Sequence, residues 1–387
     1  MRVLVSGGGS GGHIYPALAV ATQLQKEYQA EILYLGSDDG LENELAPKAG
    51  FPIAIVKAGK LRRYVSWRTI TGVARVPVGM AQAVGIVRKF RPHAAFTSGG
   101  YVAVPAGLAA RLNGVPLLMH QQDVPANLSN RLIAPLATRI SVAFADSLAY
   151  FPARKTLQLG NPMRQAMLDM REVSPQQARS ILGGAINWEG TINRPSIEVP
   201  LLLVTGGSQG ARHLNQVVCH ALPDLLPHCQ VLQISGKGLF DETRELAERI
   251  MADLNEEVKQ RYRLVPYMDA EMPAALQASD LVLCRSGAST LSELALLGKP
   301  SILVPLPPAI GSSPQEANAE MFHRRNAAEV IRDEDLKPQI LVERVISILT
   351  SSTLLTSMAE AARALAKPQA TQEIAAEVIK IAKGPKT

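Results

Sequence analysis

The sequence predicts an α/β protein made of two parallel-sheet halves, and three observations lead there. The chain opens on a short strand, Val3-Leu4-Val5, that runs straight into Ser6-Gly7-Gly8-Gly9-Ser10-Gly11-Gly12-His13. The same pattern returns near mid-chain, where Leu201–Thr205 leads into Gly206-Gly207-Ser208-Gln209-Gly210-Ala211. Elsewhere strand-like runs alternate with helical stretches, the order expected of parallel sheets. A glycine turn between strand and helix lets backbone N–H groups approach a phosphate, and the helix N-terminus adds partial positive charge. One such turn is ordinary packing; two, half a chain apart, imply a duplicated nucleotide fold. The 387 residues suit about two domains at roughly 150 residues each.

In the first half, β-branched and apolar runs predict strands at Arg2–Val5, Glu31–Leu35, Ala94–Thr97, Leu117–His120 and Ile140–Val142. Helices fill the gaps, as at Pro16–Tyr28, where Pro16 suits a first turn. Thr156–Arg164, with Gly160-Asn161-Pro162, reads as a crossover out of this half. Periodicity weakens from Arg171 to Pro200, and Gly183-Gly184 and Asn187–Pro195 read as surface loops. After Leu201–Thr205 further strands are expected at Val231–Ser235, Arg263–Val265, Leu281–Cys284 and Ser301–Val304. The alanine-rich tail Leu354–Lys383 is helical in period and is expected to pack back across the first domain. This divides the chain into residues 1–163, 164–353 and a tail 354–387, with a hinge near Asn161–Pro200. Open parallel sheets bind ligands at the carboxyl ends of their strands. Two sheets facing each other would put both glycine loops on the walls of one central cleft.

Hydrophobic residues make up 47% of the chain and charged ones 19%, enough for ordinary cores and against disorder. Cys219, Cys229 and Cys284 lack paired-ligand spacing and read as buried thiols of a reducing compartment. The glycine loop comes too early for a signal peptide, and no apolar run is long enough to span a bilayer, which predicts a cytoplasmic protein. The net charge of +6 is uneven: residues 1–160 hold 17 Lys/Arg against 8 Asp/Glu. No acidic residue falls between Glu44 and Asp123, whereas Lys57, Lys60, Arg62, Arg63, Arg68, Arg75, Arg88, Lys89 and Arg91 do. Such a cluster is most often a solvated face. Here Leu61, Tyr64, Val65, Trp67 and Ile70 are interleaved with the cations, which favours an anionic membrane surface. Nucleic acid is not expected, because no reader motif accompanies the charge.

Five segments hold the chemistry. His13, one residue past the last glycine of the first loop, is matched to general-base work near neutral pH, although it equally suits a packing role. Thr97-Ser98-Gly99-Gly100-Tyr101 follows a strand, opens another helix and makes a second anion-binding wall. His120-Gln121-Gln122-Asp123 closes a neighbouring strand. In the second half, Arg285-Ser286-Gly287-Ala288-Ser289-Thr290-Leu291-Ser292-Glu293 offers N–H and hydroxyl donors to phosphate, with Glu293 one turn in, placed for a ribose diol. After Pro305-Leu306-Pro307-Pro308, the run Gln315-Glu316-Ala317-Asn318-Ala319 brings amides suited to sugar hydroxyls. A literal D-x-D at Asp333-Glu334-Asp335 sits in a charged late stretch and reads as solvated surface, and no other metal-ligand cluster stands out.

In this order the segments resemble the bacterial undecaprenyldiphospho-muramoylpentapeptide β-N-acetylglucosaminyltransferase family, which converts lipid I to lipid II. The family's G-G-T-G-G-H is matched with Ser10 in place of threonine, and Gly99-Gly100-Tyr101 resembles its second loop. Gly160-Asn161-Pro162-Met163-Arg164, Gly207-Ser208-Gln209-Gly210-Ala211, Gly287–Glu293 and Gln315–Ala319 follow its pattern, so the likeness covers nearly the whole chain. One segment departs: His120-Gln121-Gln122-Asp123 stands where the family shows H-E-Q-N, exchanging a carboxylate for an amide and an amide for a carboxylate.

The resemblance implies two Rossmann-like domains facing a central cleft, the GT-B architecture, with UDP-GlcNAc held mainly by the C-terminal one. Arg164, Ser208, Ala288, Ser289, Thr290, Leu291, Ser292 and Glu293 would contact the nucleotide, Met268 would lend its backbone to uracil, and Gln315 would meet the sugar. Ser10, Gly11 and Gly12 would face the diphosphate, with Asp123 beside them. Gly99, Gly100, Tyr101 and His120 would serve the acceptor, lipid I in the cytoplasmic leaflet. The Lys57–Arg91 region would meet the inner membrane as a peripheral contact, with cell-wall and division proteins as further partners. Neither cofactor nor metal is implied. His13 is expected to act as base in an inverting single displacement, with glycine-loop and helix N–H groups stabilising the departing diphosphate. The rival readings are a UDP-GlcNAc 2-epimerase of the same fold, a nicotinamide dehydrogenase resting on Gly7, Gly9 and Gly12 with Asp38 or Asp39, and a non-catalytic membrane scaffold.

Overall fold

The structure is a computed structural model that describes residues 1–57, 67–188, 199–307 and 315–384, with the backbone alone over 67–76. It divides into two compact units, Met1–Arg164 joined by Lys367–Thr387, and Gln165–Ala366. Each contains one wholly parallel sheet.

Among the described residues unit 1 has seven strands: β1 Arg2–Ser6, β2 Glu31–Ser37, β3 Ile53–Val56, β4 Ala94–Thr97, β5 Leu117–Gln121, β6 Arg139–Val142 and β7 Thr156–Gln158, in the order β3-β2-β1-β4-β5-β6-β7. Val3 pairs with Ile32 on one side and Ala94 on the other. Both faces are covered, so the strands are apolar on both. Val3 and Val5 pack toward helices Gly11–Tyr28 and Ala370–Lys383, while Leu4 packs toward Trp67–Phe90 and Ala103–Leu112. β3 and β7 were not expected. They are short edge strands of 4 and 3 residues: Ile53–Val56 is apolar but largely unburied, and Thr156–Gln158 has no apolar run.

Among the described residues unit 2 has six strands: β8 Leu201–Thr205, β9 Gln230–Ile234, β10 Tyr262–Val265, β11 Leu281–Cys284, β12 Ser301–Leu303 and β13 Ala328–Val330, in the order β10-β9-β8-β11-β12-β13. Again the strand missed in the sequence, β13, lies at an edge. Helices Arg212–Leu225, Phe240–Ile250 and Pro338–Leu349 share a core with β8 through residues such as Leu202, Val218, Leu222 and Val345. All three cysteines are buried and free, and burial pushes their thiols up to about 12.

Two expectations need correction. Gly183-Gly184 are not in a loop but inside helix Pro175–Ala185, whose start is fixed by a capping box between Ser174 and Gln177 with Pro175 in the first turn. The tail 354–387 is not one element. Helix Ser352–Ala364 packs on Ala288–Leu297 and Pro338–Leu349 within unit 2, and only Ala370–Lys383 joins unit 1, against Gly11–Tyr28, β4 and β5. The difference lies in where apolar faces find cover: Met358 enters the unit 2 core, Ile374 and Val378 that of unit 1. Lys60, Leu61, Arg62, Arg63, Tyr64, Val65 and Pro308 lie outside the described residues, as do the side chains of Trp67, Arg68, Ile70 and Arg75. Among the described residues no single helix is long and apolar enough to cross a membrane.

Candidate active site

Strand order reverses between β1 and β4 in unit 1 and between β8 and β11 in unit 2. Carboxyl ends at such switch points are where open α/β sheets take ligands. The loops that leave these four strands are the glycine-rich segments.

In unit 1 the loops after β1 and β4 lie back to back. Gly8 N–H donates to Gly99 O at 3.4 Å, and Ser98 N–H to Ser6 O at 3.0 Å. Gly100 holds φ +85° with its Cα so near the Gly8 carbonyl that a Cβ would collide with it. The Ser98 hydroxyl donates to His13 O at 2.5 Å. Ser10 caps helix Gly11–Tyr28 from an extended conformation, its side chain making no capping bond, and its carbonyl accepts the N–H groups of His13 and Ile14. The Ser10 side chain therefore does not cap the helix N-terminus at Gly11 and Gly12.

His13 is oriented by the second loop. Its Nδ1 lies 3.0 Å from Ser98 O, and a carbonyl only accepts, so Nδ1 carries the proton and Nε2 keeps its lone pair. Gln122 Nε2 donates to the same carbonyl at 3.1 Å and sits 3.2 Å from His13 Nδ1, two donors sharing one acceptor. Burial lowers the His13 pKa below 6.5, opposed by the Asp123 carboxylate and then by the Ser98 carbonyl. Ser98 and Gln122 were not singled out from sequence. Each occupies an ordinary loop or strand-end position, and only the fold brings them to the imidazole.

The structure assigns other unit 1 residues differently from expectation. His120 is fully buried, with Nδ1 2.8 Å from Ser141 Oγ and Nε2 3.1 Å from Asn161 Oδ1. Both ring nitrogens are used inside the protein, which makes His120 a support behind the loops rather than an acceptor contact. Burial drives its pKa down to about 4. Gln121 is equally buried: its Nε2 donates to Asp123 O and Pro125 O, and its Oε1 accepts from Asn130. Two backbone carbonyls thus require donors here, which an amide supplies and a carboxylate cannot. Tyr101 lays its ring along Gly9, and its hydroxyl lies 2.7 Å from Ser37 Oγ and 3.2 Å from Asp39 Oδ1. Arg164 is the last residue of unit 1 and not the first of unit 2; its guanidinium stacks 4.5 Å over the Tyr15 ring.

In unit 2, Ser208 is exposed at the tip of the loop after β8. Gly210, at φ +75°, backs so closely on the Ser235 carbonyl that a Cβ would collide with it. The loop after β11 ends in Gly287, which caps helix Ala288–Leu297 without a side chain to close the first-turn N–H groups. Ser289, Thr290 and Glu293 are partly exposed there. Leu291 and Ser292 turn inward, the Ser292 hydroxyl donating back to Ala288 O at 2.8 Å, and the Ala288 and Met268 side chains are buried too. These four can serve a ligand through backbone only, because their side chains build the core.

Gln315 is oriented from both ends: Leu306 N–H donates to its Oε1 at 3.1 Å, and its carbonyl accepts the Ser286 hydroxyl at 2.8 Å. Asn318 Nδ2 donates to Ser286 O. Asp333 is not the solvated surface residue its sequence suggests. Its Oδ1 lies 2.6 Å from Arg285 Nη1 and its Oδ2 3.2 Å from His213 Nδ1, and Arg285 also donates to Val304 O and Pro305 O. Among the described residues no three His, Cys, Asp or Glu side chains gather into a metal-holding group.

Residues 3–142 match the glycosyltransferase family 28 N-terminal domain and residues 201–375 the family 28 C-terminal domain. The chain is 36% identical to the UDP-N-acetylglucosamine–N-acetylmuramyl-(pentapeptide) pyrophosphoryl-undecaprenol N-acetylglucosamine transferase of Caldanaerobacter subterraneus, over 97% of this chain and 98% of that one. It is 37% identical to the transferase of that name from Desulforudis audaxviator, over 99% of each. Among solved structures, Acinetobacter baumannii MurG aligns with TM-score 0.73 and 28% identity, covering 98% of this chain and 99% of that one. A UDP-GlcNAc 2-epimerase from Neisseria meningitidis aligns with TM-score 0.68 at 13% identity, over 98% of this chain and all of that one, a likeness of fold alone.

Proposed function

The chain belongs to glycosyltransferase family 28, and from that premise we propose that it transfers N-acetylglucosamine from UDP-GlcNAc to lipid I. The acceptor is the C4 hydroxyl of the N-acetylmuramoyl-pentapeptide on its undecaprenyl diphosphate, and the products are lipid II and UDP. The observation that carries this is full-length kinship with transferases of that name, joined to an imidazole at the start of helix Gly11–Tyr28 whose Nδ1 is held by Ser98 O.

The reaction is a single displacement. The acceptor oxygen attacks the anomeric carbon, the bond from that carbon to the diphosphate breaks, and configuration inverts. His13 Nε2 takes the hydroxyl proton, Ser98 O holding Nδ1–H so that the other nitrogen is the base. A lowered pKa keeps the ring neutral before the step, and the Asp123 carboxylate stabilises the imidazolium formed in it. Ser208, the first turn behind Gly287, Glu293 and Gln315 serve the donor, with N–H groups neutralising charge on departing UDP. Gly11 and Gly12 serve the acceptor diphosphate. A dinucleotide in the first loop is disfavoured, because Tyr101 and Ser37 occupy the end of β2 where a ribose would be read.

We place the acceptor side of unit 1 against the cytoplasmic leaflet. Supporting this, Leu112, Leu128 and Leu132 are 65%, 60% and 50% exposed on packed helices that also expose Arg111 and Arg131, and helix Trp67–Phe90, which ends in Arg88 and Lys89, packs on Ala103–Leu112. Sedimentation with vesicles checks it: binding to anionic vesicles should weaken as salt rises and be absent with zwitterionic ones. For the reaction, labelled UDP-GlcNAc is incubated with lipid I in detergent. Label on lipid with equimolar UDP is expected; a folded sample that labels no lipid, or that epimerises UDP-GlcNAc without acceptor, overturns the assignment.

A further inference from the structure

Glu42 is a fully buried carboxylate at the start of helix Glu42–Lys48, and the chemistry above gives it no role. Its Oε1 accepts the Ser37 N–H at 3.0 Å and the Ser37 hydroxyl at 2.7 Å, and its Oε2 accepts the Gly9 N–H at 3.4 Å. Glycines wall it in: a Cβ on Gly8 would lie 2.6 Å from Oε1, and one on Gly40 would collide with the same carboxylate. The Ser37 hydroxyl, which gives its proton to Glu42, lies 2.7 Å from the Tyr101 hydroxyl, which itself donates to Asp39 Oδ1 at 3.2 Å. Tyr101 in turn covers Gly9. A closed circuit therefore runs from the loop after β4, through the end of β2, to the loop after β1. On the other side of that loop the Tyr34 hydroxyl donates to Gly7 O at 2.5 Å. The loop is pinned inward at Gly7 and Gly9, which leaves Ser10, Gly11 and Gly12 at the outward end beside His13.

A buried carboxylate is costly unless its oxygens are bonded, so its retention under a substrate-facing loop calls for a reason beyond filling space. We propose that Glu42 is a positioning residue for the acceptor diphosphate. It draws the Gly9 amide inward and locks the two glycine loops together, so that the Gly11 and Gly12 N–H groups and His13 hold one arrangement. The proposal rests on the reading that this loop takes the acceptor.

The test is steady-state kinetics on the full chain, with UDP-GlcNAc and lipid I varied separately. In Glu42→Gln an NH2 must face either the Gly9 N–H or the Ser37 N–H, donor against donor whichever way the amide turns. Acceptor KM should rise about tenfold while donor KM stays within about twofold. Ser37→Ala, which removes a donor and inserts none, should raise acceptor KM about threefold and serves if Glu42→Gln does not fold. A merely structural role would lower the active fraction and kcat with both KM values unchanged. That result overturns the proposal, as does a rise shared equally by both substrates. A parent protein that labels no lipid overturns the function beneath it, whereas a labelling parent with unmoved KM values in folded variants overturns this inference alone.

Discussion

His13 owes its expected reactivity to three neighbours on two loops: Ser98 O selects the tautomer, Gln122 shares that carbonyl, and Asp123 supplies a nearby negative charge. A base must be deprotonated to act, so kcat/KM should fall as pH drops through a pKa below 6.5. Because Asp123 raises that pKa, Asp123→Asn should move the acid limb to lower pH; a limb that moves up would show that the carboxylate acts otherwise. His13→Ala should lower kcat by roughly 10²–10⁴ while leaving donor KM near the parent value, and a loss of only a few-fold would remove it as base. His120 makes a separate prediction about stability. Its folded pKa of about 4 lies below the ordinary 6.5. Between those values the unfolded chain binds a proton that the folded chain does not, so stability rises with pH across that window and is complete above it. The contribution is on the order of 3 kcal/mol. Urea melts of the parent at pH 4.5 and 7 should therefore differ, and the difference should shrink in His120→Gln if that variant stays folded.

At the scale of elements, the same device appears twice, a glycine turn between a central strand and a helix, but it is braced differently. In unit 1 the brace is Glu42 and Tyr101. In unit 2 it is Arg285, held by Asp333 and carrying the loop that presents Gly287 and Gln315. Asp333→Asn would leave the Arg285 guanidinium without its anion in a largely buried place. Donor KM should rise several-fold with acceptor KM unchanged; equal changes in both would show that the ion pair only supports the unit's stability. The strands around these turns were legible where they are central, because residues such as Leu202 and Val282 are buried on both faces and read as continuous apolar runs. β3, β7 and β13 were not, since an edge strand of three or four residues has little pattern of its own. Helix Pro175–Ala185 shows the reverse case: Ser174-Pro175 and Gln177 state its start plainly, and Gly183-Gly184 masked its continuation.

Across the whole molecule, unit 1 is completed only by the end of the chain. Helix Ala370–Lys383 buries Ile374, Ala375 and Val378 against Val3, Val5 and Ile14, and Glu377 meets Arg139 at 3.3 Å. Truncation before Lys367 would uncover part of one face of the seven-stranded sheet, leaving Gly11–Tyr28 as its remaining cover. Calorimetry should then show the unit 2 transition retained and that of unit 1 lowered or lost; two unchanged transitions would mean the helix is dispensable. The uneven charge, 17 Lys/Arg against 8 Asp/Glu in residues 1–160, belongs to this scale too, because it sets which unit an anionic surface attracts.

The sequence by itself determined the duplicated α/β plan, the strand-end position of every loop that matters, and the family motifs from Gly8 to Asn318. These are local statements, made by glycine placement and apolar runs within a few residues of each other. Only the tertiary structure decided which groups meet: Ser98 and Gln122 at His13, Asn161 behind His120, Asp333 at Arg285, and Glu42 beneath Gly9. Each of those pairs is separated by 33 or more residues, and a hydrogen bond between them depends on strand order and on which loops share a sheet edge. Local pattern specifies where a side chain leaves the backbone; packing of distant segments specifies what it touches.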